Sequence, residues 1–285
     1  MTNVNDTNTH FSEHGWAVID FSSRDAVLEA RDNILSHVKA TYYPSLERLE
    51  DLHEHIPDDA AYVQLHLELT EYYRKEGLSL KIMEGEVDFF RQFMGPDINI
   101  QKNPYLRIAR PGARGDNIGY HRDTFYGASP FEISVFVPLT DLGEGNALQF
   151  LSGSNDTSDD TYPFEQFDNE GIERGSPRHL AGIPYAPRII KPEDVPDIVP
   201  VPVTVGQAVI FGLSNVHGQV VNEDQTTRVS TDIRLVNALA PFPESRGGGD
   251  EYYLQFSRSP LTEQASRYLE ANNITKITKM QPRDK

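Results

Sequence analysis

The sequence contains no cysteine. Disulfides, thiolate metal sites and a cysteine nucleophile are therefore excluded, and any transition-metal site must use His, Asp and Glu side chains. Basic residues are also scarce, since 26 Lys and Arg stand against 43 Asp and Glu and the formal net charge is −17 at pH 7. We find no basic cluster within this acidic excess, so we expect neither nucleic acid nor an anionic membrane as a partner.

Long apolar runs are lacking as well. No stretch approaches the length that spans a bilayer, and residues 1–10 are polar, without the apolar core of a secretory signal. We therefore expect a cytoplasmic protein whose residues 1–10 form a flexible tail. The chain has 285 residues, which is long enough for a sizeable core, and we interpret it as a single domain.

The character of the sequence changes near residue 100. Residues 11–100 carry mostly helical patterns after a short strand at 15–21. Residues 101–240 alternate short β-branched and aromatic runs with Gly, Pro, Asn and Asp turns, which predicts a mainly β sandwich or barrel with flanking helices. Within this part, residues 152–187 lack periodicity and form a long loop, and residues 241–285 are interpreted as a C-terminal extension with a helix near 262–272.

The strands predicted for this second part are short and closely spaced. They are 105–110, 118–125, 131–138, 147–151, 188–191, 199–205, 208–212 and 228–239.

A candidate metal site is formed by His121 and Asp123, which make an H-x-D motif. On a strand, residues two apart share a face, so both side chains would point the same way. His217 follows the predicted strand 208–212 and supplies a third ligand. Two His and one carboxylate leave open positions on an iron for a co-substrate and oxygen.

The H-x-D motif alone is weak evidence, because chance accounts for about one such pair in a sequence with 9 His and 43 acidic residues. A second pair, His66 and Glu68, lies in a helical pattern where positions two apart diverge. We interpret that pair as a solvated helix face.

Arg228 and Ser230 follow the distal His and share one face of a predicted strand. The planar guanidinium matches a carboxylate in two parallel hydrogen bonds, and a neighbouring hydroxyl can donate one more. Taken alone, Arg228 would be a surface ion pair. In combination with the three metal-ligand candidates, the pair suits the far carboxylate of a dicarboxylic acid.

The order H-x-D, distal His and R-x-S resembles the Fe(II)/2-oxoglutarate dioxygenase superfamily and, more narrowly, its phytanoyl-CoA hydroxylase-like branch. The likeness covers about residues 10–240. The segments that carry it are 119–123, 135–141, 145–148, 152–155 and 217–228.

This resemblance implies a double-stranded β-helix core, of the jelly-roll or cupin type, with flanking helices. It implies that His121, Asp123 and His217 bind Fe(II), that Arg228 and Ser230 hold 2-oxoglutarate, and that O2 is consumed with release of succinate and CO2. The substrate would be a small soluble metabolite of natural-product, sugar, amino-acid or phosphonate type. Residues 152–187 would then act as a lid that excludes water from the site.

Three further residues are candidate contacts to the co-substrate or substrate. Arg107 lies on a predicted strand ahead of the H-x-D motif and would contact a carboxylate of 2-oxoglutarate or the substrate; its alternative role is surface charge. Ser134 lies on a strand face that we expect to line the pocket. Gln219 stands at the second position after the distal His, where the branch often has Ser.

One alternative belongs to another class of protein, a non-redox β-barrel that binds a small molecule or a sugar. The R-x-S motif favours the enzyme, because a sugar-binding module does not need a dicarboxylate anchor. The sequence leaves the substrate and the oligomeric state open, with a homodimer as one candidate.

Overall fold

A computed structural model of the chain describes residues 3–165, 188–189, 195, 197–241 and 252–274. None of its described helices is both long and apolar enough to cross a membrane. The helices are α1 (Val4–His14), α2 (Arg24–Thr41), α3 (Asp59–Lys75), α4 (Leu78–Glu84), α5 (Val87–Met94) and α6 (Pro260–Ala271).

The strands occupy mainly the second half of the chain, as predicted. They are β1 (Trp16–Asp20), β2 (Ile98–Gln101), β3 (Tyr105–Ala109), β4 (Glu132–Pro138), β5 (Gln149–Leu151), β6 (Phe164–Glu165), β7 (Arg188–Ile189), β8 (Ile198–Pro200), β9 (Gln207–Gly212), β10 (His217–Gly218), β11 (Arg228–Asn237) and β12 (Tyr253–Ser257).

Two antiparallel sheets form the core of the fold. The major sheet has seven strands in the order β1-β9-β4-β11-β2-β12, with β3 also paired to β11. The minor sheet has the order β10-β5-β8, and β6 pairs with β7. This antiparallel double-sheet arrangement with flanking helices confirms the predicted jelly-roll core.

Each face of the major sheet packs against a different partner. The outer face meets the helices, where apolar residues of α2 and α3 repeat every three or four positions. The inner face, turned toward the minor sheet, packs Phe136, Val209 and Phe211 against Phe150 of β5. Alternation along each strand thus separates a helix-side core from an inter-sheet core.

The prediction of a flexible tail at residues 1–10 is wrong from Val4 onward. The side chain of Asn3 caps α1 by accepting a hydrogen bond from the backbone N of Asn5 (3.0 Å). Phe11 packs edge-on against Phe93 of α5, with 5.1 Å between the ring centroids. A polar helix whose apolar contacts are few escapes a search for apolar periodicity.

The predicted strand 118–125 does not form. His121 makes an isolated bridge to His217, and Asp123–Tyr126 is a single 3-10 turn that ends at Gly127 with φ of 90°. The glycine supplies the left-handed conformation that closes the turn. His121 and Asp123 therefore converge through a turn rather than through strand alternation.

Two other predicted boundaries change. The strand expected at 199–205 ends at Pro200 and continues as an isolated bridge between Leu142 and Val203, because the prolines at 200 and 202 cannot donate to a sheet. The predicted C-terminal extension is part of the fold, since β12 pairs with β2 at the edge of the major sheet. The predicted helix near 262–272 is confirmed as α6.

The interpretation of His66 as part of a solvated face is wrong. His66 is buried, and its Nε2 donates to the carbonyl oxygen of Leu106 on β3 (2.7 Å). Burial lowers the pKa of His66 to about 4. The residue therefore ties α3 to the major sheet as a neutral imidazole.

The long loop predicted at 152–187 is described in part. Its first residues form the 3-10 turns Ser154–Asp156 and Asp159–Thr161 and then β6. Residues 166–187 lie outside the described residues, so the lid stays a prediction.

Candidate metal centre

His121, Asp123 and His217 come together at one end of the minor sheet. Their candidate ligand atoms all lie within 4.8 Å of one another, and all three residues are buried. The backbones of the two histidines form a closed pair, with N–H of His121 bonded to O of His217 (2.9 Å) and N–H of His217 bonded to O of His121 (3.0 Å). This pairing holds the imidazoles side by side, with 4.5 Å between the ring centroids.

Both imidazoles are oriented by the same kind of contact. Nδ1 of His121 donates to the carbonyl oxygen of Gly119 (2.8 Å), and Nδ1 of His217 donates to that of Asn215 (2.9 Å). A carbonyl can only accept, so the protons lie on Nδ1 and the lone pair of each imidazole lies on Nε2. Metal-binding histidines are commonly oriented in this way.

The carboxylate of Asp123 stays charged. Burial alone would raise its pKa, but Arg234 and the two imidazoles outweigh that effect and hold the pKa below its ordinary value. Burial lowers the pKa of His217 to about 4, so this imidazole is neutral near pH 7. Two imidazoles beside one carboxylate are a donor set that suits iron(II).

Gly218 permits the close approach on which the histidine pair depends. A Cβ at this position would lie 2.6 Å from the carbonyl oxygen of Gly119, which is the acceptor for Nδ1 of His121. The same oxygen thus orients a candidate ligand and leaves no room for a side chain opposite it.

Arg228 begins β11 and carries a buried positive charge. Its Nη2 donates to Oδ1 of Asn117 (2.8 Å), and its Nη1 donates to the carbonyl oxygen of Asn146 (3.2 Å) and to Oε1 of Gln219. These acceptors are neutral, and burial lowers the pKa of Arg228 to about 10, which still leaves it protonated near pH 7.

Several polar atoms around Arg228 lack partners. Nε of Arg228, Oγ of Ser230 and Nδ2 of Asn117 are buried and make no hydrogen bond within the described part of the chain. Buried donors normally have acceptors. Three unused donors beside a guanidinium whose hydrogen-bond acceptors are all neutral fit a carboxylate ligand. Gln219, which accepts from Arg228, lies two residues after the candidate ligand His217.

Arg107 and Ser134 lie on the inner face of the major sheet. Arg107 is opposite Ser230 in the register of β3 and β11, and its Nε pairs with Oδ2 of Asp232 at 2.9 Å. Ser134 is buried and opposite Arg234 in the register of β4 and β11. Both residues face the inter-sheet side, and contacts of either with a ligand remain predictions.

Sequence reasoning missed the role of two arginines. Arg234 donates from Nη2 to Oδ2 of Asp123 (3.0 Å). Arg122, between the two H-x-D residues, bonds to the carbonyl oxygens of Ser154 and Thr157 (both 2.9 Å). These bonds hold the segment Ser154–Thr157 against Arg122, which lies between two of the metal-ligand candidates. No local sequence signal indicates this contact.

Comparison with known proteins establishes the fold. The chain matches no protein-family model and no curated protein. Among solved structures it is similar to the non-heme monooxygenase ThoJ in its apo form, with a TM-score of 0.51 and 18% identity over 95% of each chain. It is also similar to EvdO2 from Micromonospora carbonacea var. aurantiaca, with a TM-score of 0.55 and 14% identity over 91% of this chain and 96% of that one.

The structure of EvdO2 complexed with 2-oxoglutarate is a further match, with a TM-score of 0.51 and 14% identity over 86% of this chain and 97% of that one. At these identities the likeness shows a shared jelly-roll fold over nearly the whole chain. The chemistry must be argued from the residues of this chain.

Proposed function

We propose that this protein is an Fe(II)- and 2-oxoglutarate-dependent dioxygenase that oxidises a C–H bond of a small soluble metabolite and releases succinate and CO2. The observation that carries the proposal is the buried Arg228 with unused donors, whose partner Gln219 lies two residues after His217 of the His121–Asp123–His217 cluster. A metal site without a co-substrate would not need a buried cation with only neutral hydrogen-bond acceptors on the same side of the sheet.

The residues divide into two groups by role. Nε2 of His121, Nε2 of His217 and Oδ1 of Asp123 would hold the iron, which together with 2-oxoglutarate activates O2 when bound. The guanidinium of Arg228 would bind the far carboxylate of 2-oxoglutarate through charge-assisted hydrogen bonds, and the hydroxyl of Ser230 would donate one more. Gln219 would position Arg228.

The inner face of the major sheet offers further polar groups toward a substrate. Arg107 and Asp232 form an ion pair there and are each about one quarter exposed. We assign Arg107 and Ser134 to the substrate side of the pocket, with Arg107 held by Asp232. The protein would be cytoplasmic; membership of the phytanoyl-CoA hydroxylase-like branch and assembly as a homodimer stay predictions.

A substrate screen scored by succinate release tests the proposal. The purified protein is supplied with Fe(II), 2-oxoglutarate and O2, and candidate metabolites are added one at a time. We expect a basal succinate release that one substrate class stimulates. Binding of a metabolite without succinate release under any condition would favour the non-redox binding protein instead.

A further inference from the structure

The two carboxylate oxygens of Asp123 have different partners. Oδ1 lies 3.6 Å from Nε2 of His121, on the side where the histidine nitrogens converge. Oδ2 lies 3.0 Å from Nη2 of Arg234. Oδ1 therefore faces the candidate metal position, and Oδ2 is paired with the guanidinium of Arg234.

Arg234 is itself held in place. It lies on β11, where its side chain is mostly buried, and its Nη1 is 3.8 Å from Oε2 of Glu132. Glu132 is fully buried, and its Oε1 accepts a hydrogen bond from the backbone N of Ser129 (2.9 Å). Burial would lower the pKa of Arg234, but Asp123 and Glu132 outweigh that effect and raise it, so the guanidinium stays charged.

We propose that Arg234 is a positioning residue that restricts Asp123 to coordination through one oxygen. This proposal rests on the proposed function. A carboxylate that binds through one oxygen takes one position on the metal, and a facial set of three ligands then leaves roughly three positions open. Chelation of 2-oxoglutarate and binding of O2 together require all of them.

Arg234 would have this effect because its positive charge lies beside Oδ2 of Asp123. Without Arg234, Oδ2 of Asp123 would be a buried anionic oxygen without its cation, which is costly. A metal ion would be the nearest replacement, so the carboxylate would turn and bind through both oxygens. Metal binding would be kept or tightened, while one coordination position would be lost.

Mn(II) is a suitable probe because it prefers six oxygen or nitrogen ligands and speeds the relaxation of water protons on its open positions. We would measure Mn(II) affinity by the loss of the free-ion signal in electron paramagnetic resonance. The relaxation of water protons per bound Mn(II) would count exchangeable waters. Water is neutral, so this count does not depend on the charge that the substitution removes.

For R234Q we expect Mn(II) affinity within about threefold of wild type, or tighter, and water relaxation per bound Mn(II) reduced to about two thirds. R234M, which is uncharged and similar in length, decides the same question if R234Q does not fold. R234K should recover most of the relaxation, because the lysine ammonium can still form an ion pair with Oδ2 of Asp123. R258M is the control, since Arg258 binds backbone carbonyls of β2 and β12 and should leave both readouts unchanged.

Wild-type relaxation in both R234Q and R234M, with Mn(II) bound, would overturn the role of Arg234 and leave the proposed function intact. Failure of the wild-type protein to bind Mn(II) or Fe(II) would instead overturn the proposed function, and the proposal for Arg234 with it.

Discussion

At the scale of single residues, charge placement decides what the candidate site can bind. Asp123 and Arg234 neutralise each other, whereas Arg228 has only neutral hydrogen-bond partners among the described residues. A buried cation that is hydrogen-bonded only to neutral groups is expensive, and an anionic ligand bonded to it would reduce that cost. The surroundings of Arg228 therefore suit an anion, and the donor set of His121, Asp123 and His217 suits a divalent cation.

Substitution of Arg228 should separate the two ligands. We expect R228M to bind Fe(II) as wild type does while its affinity for 2-oxoglutarate falls by about 2–5 kcal/mol, because a desolvated carboxylate loses its charged partner. R228K should recover part of this loss, since a point charge replaces a fork. Anaerobic calorimetry measures both constants, with Fe(II) titrated into the metal-free protein and 2-oxoglutarate titrated into the Fe(II) form.

A matched control is R74M, because Arg74 is partly buried and, like Arg228, bonds to backbone carbonyl oxygens, those of Pro104 and Asn103. It should bind 2-oxoglutarate normally. Normal 2-oxoglutarate binding in R228M would show that the carboxylate anchor lies elsewhere.

Motif order in the sequence suffices to select His121, Asp123, His217 and Arg228 as candidates, because each residue type has a chemistry suited to its proposed role. The partner of Asp123 was not predictable. Arg234 lies more than a hundred residues away along the chain, and its contact with Asp123 depends on the 3-10 turn at Asp123–Tyr126, which alternation along a strand does not produce.

At the scale of elements, the site depends on how segments approach one another. The bridge between His121 and His217 brings the segment at His121 within backbone hydrogen-bonding distance of β10, and Gly218 allows that approach. A glycine after a histidine is too common in sequences to predict that two backbone segments approach closely at this point. The requirement appears only when the opposite carbonyl is known.

Gly218→Ala should weaken metal binding. Its Cβ would meet the carbonyl oxygen of Gly119, which orients His121, and disturbing such a contact typically costs 10–100-fold in metal affinity. Titration with Co(II), followed by visible absorption, measures the loss. Gly77→Ala is the control, because Gly77 also has a positive φ but has no atom within 4 Å of its Cβ position. Equal affinities in the two variants would contradict this role for Gly218.

His66 makes a prediction about pH and stability. Its pKa in the folded state is about 4, below the ordinary value of 6.5, so the unfolded chain binds the extra proton first as pH falls. The stability that neutral His66 provides is therefore present above about pH 6.5 and is lost toward pH 4. Between pH 7 and pH 5, we expect the loss to be about 2 kcal/mol.

Urea unfolding of the metal-free wild type and of H66Q at both pH values isolates this contribution, because the remaining histidines titrate in both proteins. Glutamine can still donate to the carbonyl oxygen of Leu106 but does not titrate. The wild type should lose more stability than H66Q. An equal loss in both would mean that His66 titrates normally in the folded protein.

At the scale of the whole molecule, one face of the major sheet packs against the helices and the other carries residues of the candidate site. The outer face buries the apolar residues of α2 and α3, whereas the inner face carries Arg228, Ser230, Asp232 and Arg234 in alternation along β11. One long strand thus contributes to the helix-side core and to the candidate site with alternate residues.

The overall architecture was largely predictable because strand periodicity and turn residues are local signals. The boundaries that failed depended on distant partners. Residues 1–10 have no apolar pattern that would predict α1, although Asn3 caps this helix. The sequence of β12 suggests only an extension, because its pairing partner β2 lies far away in sequence. Long-range pairing is not encoded in any short window.

The central claim is that the cluster of His121, Asp123 and His217 binds iron and 2-oxoglutarate together, and anaerobic visible spectroscopy tests it most directly. Adding 2-oxoglutarate to the Fe(II) form should produce a weak charge-transfer band in the wild type and in D160A, whose substituted aspartate lies exposed in another 3-10 turn. D123A, folded by circular dichroism, should give none. Absence of the band in the wild type with Fe(II) bound, or an equal band in D123A, would contradict the account.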